Sequence, residues 1–162
     1  TAAERTFQLL TQVAGRAGRG DKPGKVIIQT YNPEHYSIVA AQHHDYTDFY
    51  KKEIQMRELM NYPPFCAIVR ILVSDFQPHG LLEAMQQMAQ AIAEQYPAIE
   101  LLGPSEAPVA VIRRRHRFHL LLKGEYLDLL REAAEYGQKV TNLSRKSKTL
   151  RILIDVEPFN VL

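Results

Sequence analysis

From residue 65 onward the apolar residues alternate between the period of a strand and the period of a helix, and that alternation constrains the fold more than any single motif. A strand-like run over 65–74 leads into a helical segment over 78–96, where Leu81, Leu82, Met85, Met88, Ala89 and Ile92 form one stripe. A second strand-like run covers 99–103, with 108 as its outer limit, and a third covers 116–123. A second helix over 125–142 repeats the stripe with Leu127, Leu130, Ala134 and Val140, and a last strand covers 150–156. Both stripes are the width that one face of a sheet covers, so Met85 and Met88 are expected in a core.

This β-α-β-β-α-β order predicts a split βαβ, or ferredoxin-like, domain with an antiparallel sheet. Upstream, 3–18 reads as a helix with Phe7, Leu10, Val13 and Ala14 at helical spacing, ending in glycines. Residues 25–30 read as a short apolar strand, 34–42 as a short helix and 45–59 as a longer one with Phe49, Ile54, Met56 and Leu59 on its apolar side. Pro63 and Pro64 stop that helix, and Tyr62-Pro63-Pro64-Phe65 reads as a rigid corner. A chain of 162 residues buries one good core with some sequence left over. The expected organisation is therefore α+β: an α/β remnant over 1–42, a helical connector over 43–64 and the ferredoxin-like domain over 65–162.

The strongest chemical signal lies in the remnant, at Gln12-Val13-Ala14-Gly15-Arg16-Ala17-Gly18-Arg19-Gly20. Residues three apart share a helix face, so Arg16 and Arg19 are expected to project together, while Gly15 and Gly18 allow close backbone approach. Guanidinium is the group suited to phosphate, because its planar fork donates to two oxygens at once and stays charged at any working pH. Arg16 and Arg19 are the candidates for a catalytic phosphate clamp, with Gly15 and Gly18 as positions where a partner can approach the backbone. The bland alternative is a solvated basic helix end.

Other chemistry is thin. A phosphate-binding loop needs a hydroxyl residue after its lysine, and Gly24-Lys25-Val26 supplies neither that hydroxyl nor the earlier glycine. With no acidic DExx box either, this chain alone is expected to have no ATPase activity. The single cysteine, Cys66, excludes an internal disulfide and a cysteine cage for zinc, and is expected to pack in a core. The histidines offer no metal constellation: His43 and His44 are adjacent and divergent, and His116 and His119 should point to opposite faces of a strand. No apolar run reaches the length of a membrane span and no signal-like start is present, which predicts a cytosolic protein.

Charge is polarised along the chain although the net value is only +2. Residues 43–108 carry four basic groups against nine acidic ones, whereas 109–162 carry eleven against six. The positive excess concentrates in Arg113, Arg114, Arg115 and Arg117 and in Arg145, Lys146 and Lys148. These tracts fall at the connection between the second and third strands and at the one before the last strand. In the expected topology both arrive at the same end of the sheet, so the seven side chains should form one patch suited to a phosphate backbone. His116, Phe118 and His119 interleave with the arginines as candidates for stacking on bases. Alternation should turn Phe118 and His119 to opposite faces, one of them core.

The glycine-arginine segment QVAGRAGRG resembles motif VI of superfamily 2 helicases. ERTFQLLTQ, KVIIQTYNPEHYSI, DFYKKEIQMRELMNYPPF, RFHLLLKG and ILIDVEP together resemble the C-terminal end of the PriA family of replication restart helicases, over nearly the whole chain. The resemblance implies that 1–42 closes the second RecA-like helicase lobe, where Gln12, Arg16 and Arg19 would sense the γ-phosphate of ATP bound with Mg. It implies 3′-to-5′ translocation in the parent, a cysteine-rich structural zinc insertion upstream of Thr1, and a terminal domain contacting DNA and partners. The partners implied are branched and single-stranded DNA, single-stranded DNA-binding protein, primosome proteins and the machinery that loads the replicative helicase. Phe65-Cys66 after YPP and the run Arg113 to Arg115 depart from the family pattern.

Three functions are compatible with these residues: the C-terminal part of an ATP-driven fork helicase, a stand-alone nucleic-acid-binding module over 65–162, or a docking domain for primosome proteins. Salt-dependent DNA affinity separates the second from the third.

Overall fold

The computed structural model describes residues 2–17, 24–144 and 147–158, and the chain divides into two units, residues 1–61 with Leu162 and residues 62–161. The first unit is helical: α1 (Ala2–Ala14), α2 (Tyr36–Gln42) and α3 (Tyr46–Leu59). The second contains β1 (Ala67–Asp75), α4 (Leu81–Gln95), β2 (Glu100–Ile112), β3 (Arg115–Gly124), α5 (Leu127–Ser144) and β4 (Arg151–Val156).

In the helical unit, Phe7 of α1 stacks on Phe49 of α3 with ring centroids 4.4 Å apart, and Ala40 and Ala41 of α2 close the cluster. The residues expected to be a separate connector thus share a core with those before them. Each helix start that follows a loop is capped by a side chain: the His35 ring accepts from the Ser37 N–H and the Asp45 carboxylate from the Asp48 N–H at 2.9 Å. A buried carboxylate, Glu53, joins the helices. It accepts from the Tyr36 hydroxyl at 2.6 Å and from Arg57 Nε at 2.8 Å, while Arg57 also reaches Glu4 of α1 at 2.8 Å. Burial, and then the neighbouring Glu53 carboxylate, hold the Tyr36 phenol protonated far above its ordinary range.

Three expectations for this unit are corrected. The first helix stops at Ala14, and Gly15 to Ala17 continue as turns, with the Arg16 N–H donating to Val13 and the Ala17 N–H to Ala14. Residues 25–30 form no strand; Ile27 is 82% exposed, and among the described residues no neighbouring strand supplies the ladder partners that an extended segment needs. On α3, Met56 and Leu59 are exposed and Glu53 takes the buried position, because an ion pair with Arg57 satisfies its charge there.

The second unit is the expected split βαβ. Its sheet has the order β2-β3-β1-β4, antiparallel throughout, with β1 and β3 central. Alternation sends Val69, Ile71 and Val73 to the helix-covered face, where they are completely buried against Leu81, Met85, Met88 and Ile92 of α4 and Leu130, Ala133 and Ala134 of α5. Gly137 lets α5 approach α4: a β-carbon there would lie 2.7 Å from Ile92 Cδ1. Met85 and Met88 are core, as expected.

The opposite face carries cross-strand pairs in place of a second helix layer. Arg70 on β1 pairs with Asp155 on β4 at 2.5 Å, and Lys123 on β3 pairs with Glu100 on β2 at 3.0 Å beneath the Tyr62 ring. Cys66 packs with Ile68 and Leu121, and burial pushes its thiol up, which fits a packing role.

Strand β2 is longer than expected and runs on to Ile112, because two irregularities let it bend and re-pair with β3. The first is at Gly103, whose φ of 106° is open to glycine and whose β-carbon would sit 3.0 Å from the His119 carbonyl. The second lies between the pairs Glu106↔Phe118 and Val111↔His116, where residues 107–110 stand opposite Arg117 alone.

Candidate nucleic-acid interface

The β2–β3 hairpin closes on two residues, Arg113 and Arg114, with φ of 50° and 64°. A two-residue turn with both positions left-handed is the tight hairpin turn that local sterics reserve for Asn-Gly. Two arginines occupy it here, at a cost of roughly 1 kcal/mol each for a side chain in that region. Both are exposed, and among the described residues no carboxylate pairs with either. A conformation held against local preference, by residues that point charge at solvent, makes this turn a candidate position.

Strand register then assembles the rest. Ser74 near the end of β1 lies opposite Arg117 on one side and Arg151 on the other, and directly opposed residues share a face. Arg117, whose Nη1 donates to the Val109 carbonyl at 3.1 Å, and the exposed Arg151 therefore join the hairpin's end of the sheet. Arg151 is a residue the sequence reading missed, since only the pairing of β4 brings it there.

Arg115 has a different role from its neighbours. Its Nη2 donates to the Ser74 carbonyl at 2.9 Å and to the Thr149 carbonyl, its Nε to Ser74 Oγ at 3.3 Å, and its guanidinium lies 4.6 Å from the centre of the Phe76 ring. The adjacent Asp75, fully buried, accepts from the Thr149 hydroxyl. Arg115 and Asp75 thus anchor the α5–β4 connection, which carries the exposed Lys148, to the hairpin end. Arg145 and Lys146 lie outside the described residues. Of the seven basic residues expected in one patch, Arg113, Arg114, Arg117 and Lys148 present charge at this end, and Arg115 holds it together.

Phe118 and His119 do face opposite sides of β3, one of them toward the core. Phe118 is half-buried and packs against the helix-covered core. His119 points to the other side and is buried, with Nε2 3.0 Å from Ser105 Oγ. Burial, then the Arg70 and Arg117 guanidiniums, lower its pKa, so its ring is neutral at pH 7. Exposed apolar surface at this end comes instead from Val109, Val111, Ile112 and Phe76.

In the helical unit, Gln12 and Arg16 are both exposed and four positions apart near the end of α1, with Gly15 between them. Arg19 and Gly18 lie outside the described residues. No group of three potential metal ligands occurs among the described residues, and no helix there is long and apolar enough to cross a membrane.

Fold and site define a class: an α+β domain of ferredoxin-like topology with a cationic hairpin end, preceded by a helical unit. The family model for the primosomal protein N C-terminal domain matches residues 58–159. The chain is 37% identical to the replication restart protein PriA of Bacillus subtilis (strain 168) over 99% of its own length and 20% of that protein's. It is 42% identical to PriA of Synechocystis over 75% of this chain and 15% of that protein, and 37% identical to PriA of Thermotoga maritima over 92% and 18%. The chain belongs to the PriA family of replication restart proteins and spans about a fifth of the length of the curated relatives it matches.

Proposed function

We propose that this chain is the C-terminal part of an ATP-dependent, 3′-to-5′ DNA helicase that recognises stalled or branched forks and restarts replication through primosome assembly. The observation that carries the DNA-binding half is the convergence of Arg113, Arg114, Arg117, Lys148 and Arg151 on one end of the sheet, with Arg115 bonded to Thr149 between the two loops. Cations placed this way suit the phosphates of two strands diverging at a fork, and each phosphate neutralised adds about 0.9 to the salt slope on duplex and about 0.7 on single strands. Base sequence would not be read, since phosphate contacts carry register and orientation only.

In the helical unit, the exposed guanidinium of Arg16 and the amide of Gln12 fit a clamp on the terminal phosphate of ATP, with Arg19 beside them in sequence and Gly15 and Gly18 allowing close approach. Residues that would cradle the other phosphates and hold Mg are not in this sequence, so this chain by itself is read as inactive toward ATP. Structural zinc finds no donor set here: Cys66 is the single cysteine and is buried in the sheet. In the longer protein, the partners in this reading are branched and single-stranded DNA, single-stranded DNA-binding protein, primosome proteins and the replicative-helicase loading machinery, in the cytoplasm.

The test is fluorescence anisotropy of this chain on single-stranded, duplex and forked DNA across a salt series. Salt-sensitive binding that collapses when Arg113, Arg114 and Arg117 are changed to alanine supports the reading. No binding at low salt overturns it in favour of protein docking.

A further inference from the structure

The hairpin end is apolar as well as cationic. Val109, Val111 and Ile112 are 54%, 50% and 44% exposed, immediately before the exposed Arg113 and Arg114. Beyond the wide bulge at 107–110, the last segment of the hairpin is held by the pairs Val111↔His116 and Ile112↔Arg115. Such a bulge bends a strand away from its sheet. Consecutive strand residues face opposite ways, so Val111 puts an exposed apolar side chain on one side of the tip, beside His116, and Ile112 puts one on the other, beside Arg115. Exposed hairpin edges ordinarily carry charge or proline, because an apolar one invites association. Here the charge sits at the turn and the apolar side chains directly behind it.

A partner matching that order must offer anionic groups beside an apolar surface reachable by a tip two side chains wide. Nucleic acid does so where its base stack is broken: bases are sealed inside a continuous duplex, and their faces are open at a junction, gap or end. Proteins that enter a base stack do so with aliphatic or aromatic wedges flanked by cations.

The geometry points to the β2–β3 hairpin as a wedge, with Val111 and Ile112, on opposite sides of the tip, each resting on one of the two base-pair faces exposed at a break in the stack and Arg113 and Arg114 on the flanking phosphates. This makes Val111 and Ile112 specificity-determining residues for interrupted duplex, and it rests on the DNA-binding reading above. Phosphate contacts supply affinity for any DNA, and the apolar tip supplies the preference for a broken stack.

The experiment compares two DNA dumbbells closed by loops at both ends, one continuous and one with a short gap carrying 2-aminopurine at the junction. Proteins are the wild-type chain, V111T/I112T, which keeps β-branched side chains at exposed positions, and R113N/R114G. Circular dichroism melts check folding. Wild type is expected to bind the gapped dumbbell about tenfold more tightly and to change 2-aminopurine emission. V111T/I112T should lose that preference and the emission change while keeping its affinity and salt slope on the continuous dumbbell. R113N/R114G should weaken binding to both. A preference undiminished in V111T/I112T, or equal loss on both dumbbells, overturns the wedge and leaves DNA binding standing. Absence of salt-dependent binding by wild type to either dumbbell overturns the DNA-binding reading, and the wedge with it.

Discussion

Arg115, the first residue of β3, donates to the carbonyl of Thr149, so one guanidinium links the hairpin end to the connection that precedes β4. The same group bonds the Ser74 carbonyl and covers the Phe76 ring, so three elements meet on it.

Replacing Arg115 by methionine should therefore do two things. Stability should fall by about 1–2 kcal/mol, less than the full value of a charged hydrogen bond because the site is partly exposed. The released loop should also stop presenting Lys148, so that Lys148→Ala weakens DNA binding in the wild type and has little further effect in the Arg115→Met background. A double-mutant cycle by anisotropy, with thermal melts alongside, measures both; additive losses in binding exclude the coupling.

Relieving the hairpin turn should trade binding for stability. Arg113→Asn with Arg114→Gly suits both left-handed positions and is expected to raise stability by about 1–2 kcal/mol in denaturant unfolding. The same change removes two cations and should lower the salt slope by about 1.8 on duplex DNA.

His119 makes stability depend on pH in one direction. Its folded pKa lies below its ordinary value of 6.5, so the unfolded chain takes up the proton first as pH falls. Stability from this group is present above about pH 6.5 and is lost progressively below it. Urea unfolding between pH 7.5 and 5 should show the decline, and His119→Gln should flatten part of it; identical profiles in the two proteins would remove His119 as the cause.

In the longer protein, Arg16→Ala and Arg19→Ala should each reduce ATP turnover by roughly 10³-fold, the scale of a guanidinium lost from a phosphoryl-transfer site. A change in KM alone would make them binding residues instead. DNA affinity of the terminal domain should not move in either variant.

Much of the second unit is legible in the sequence. The stripes of Met85, Met88 and Ile92 and of Leu130 and Ala134, the strand periods and the position of both basic tracts are properties of neighbouring residues, and local chain geometry converts them into helices, strands and connections. Local pattern misled at 25–30, where apolar residues suggested a strand but no pairing partner occurs among the described residues, and it hid the buried Glu53, whose place depends on Tyr36 and Arg57 from elsewhere in the helical unit.

By itself, then, the sequence determined the order of elements, the helix-facing core and the end of the sheet to which positive charge is drawn. Tertiary structure alone decided the use of each charge. The register of β4 brought Arg151 opposite Ser74, the carbonyl of Thr149 made Arg115 a tie, and the Gly103 and 107–110 bulges carried β2 out to an apolar tip. Periodicity is a property of successive residues, whereas pairing and burial belong to residues far apart in the chain, and only the folded sheet sets their distance.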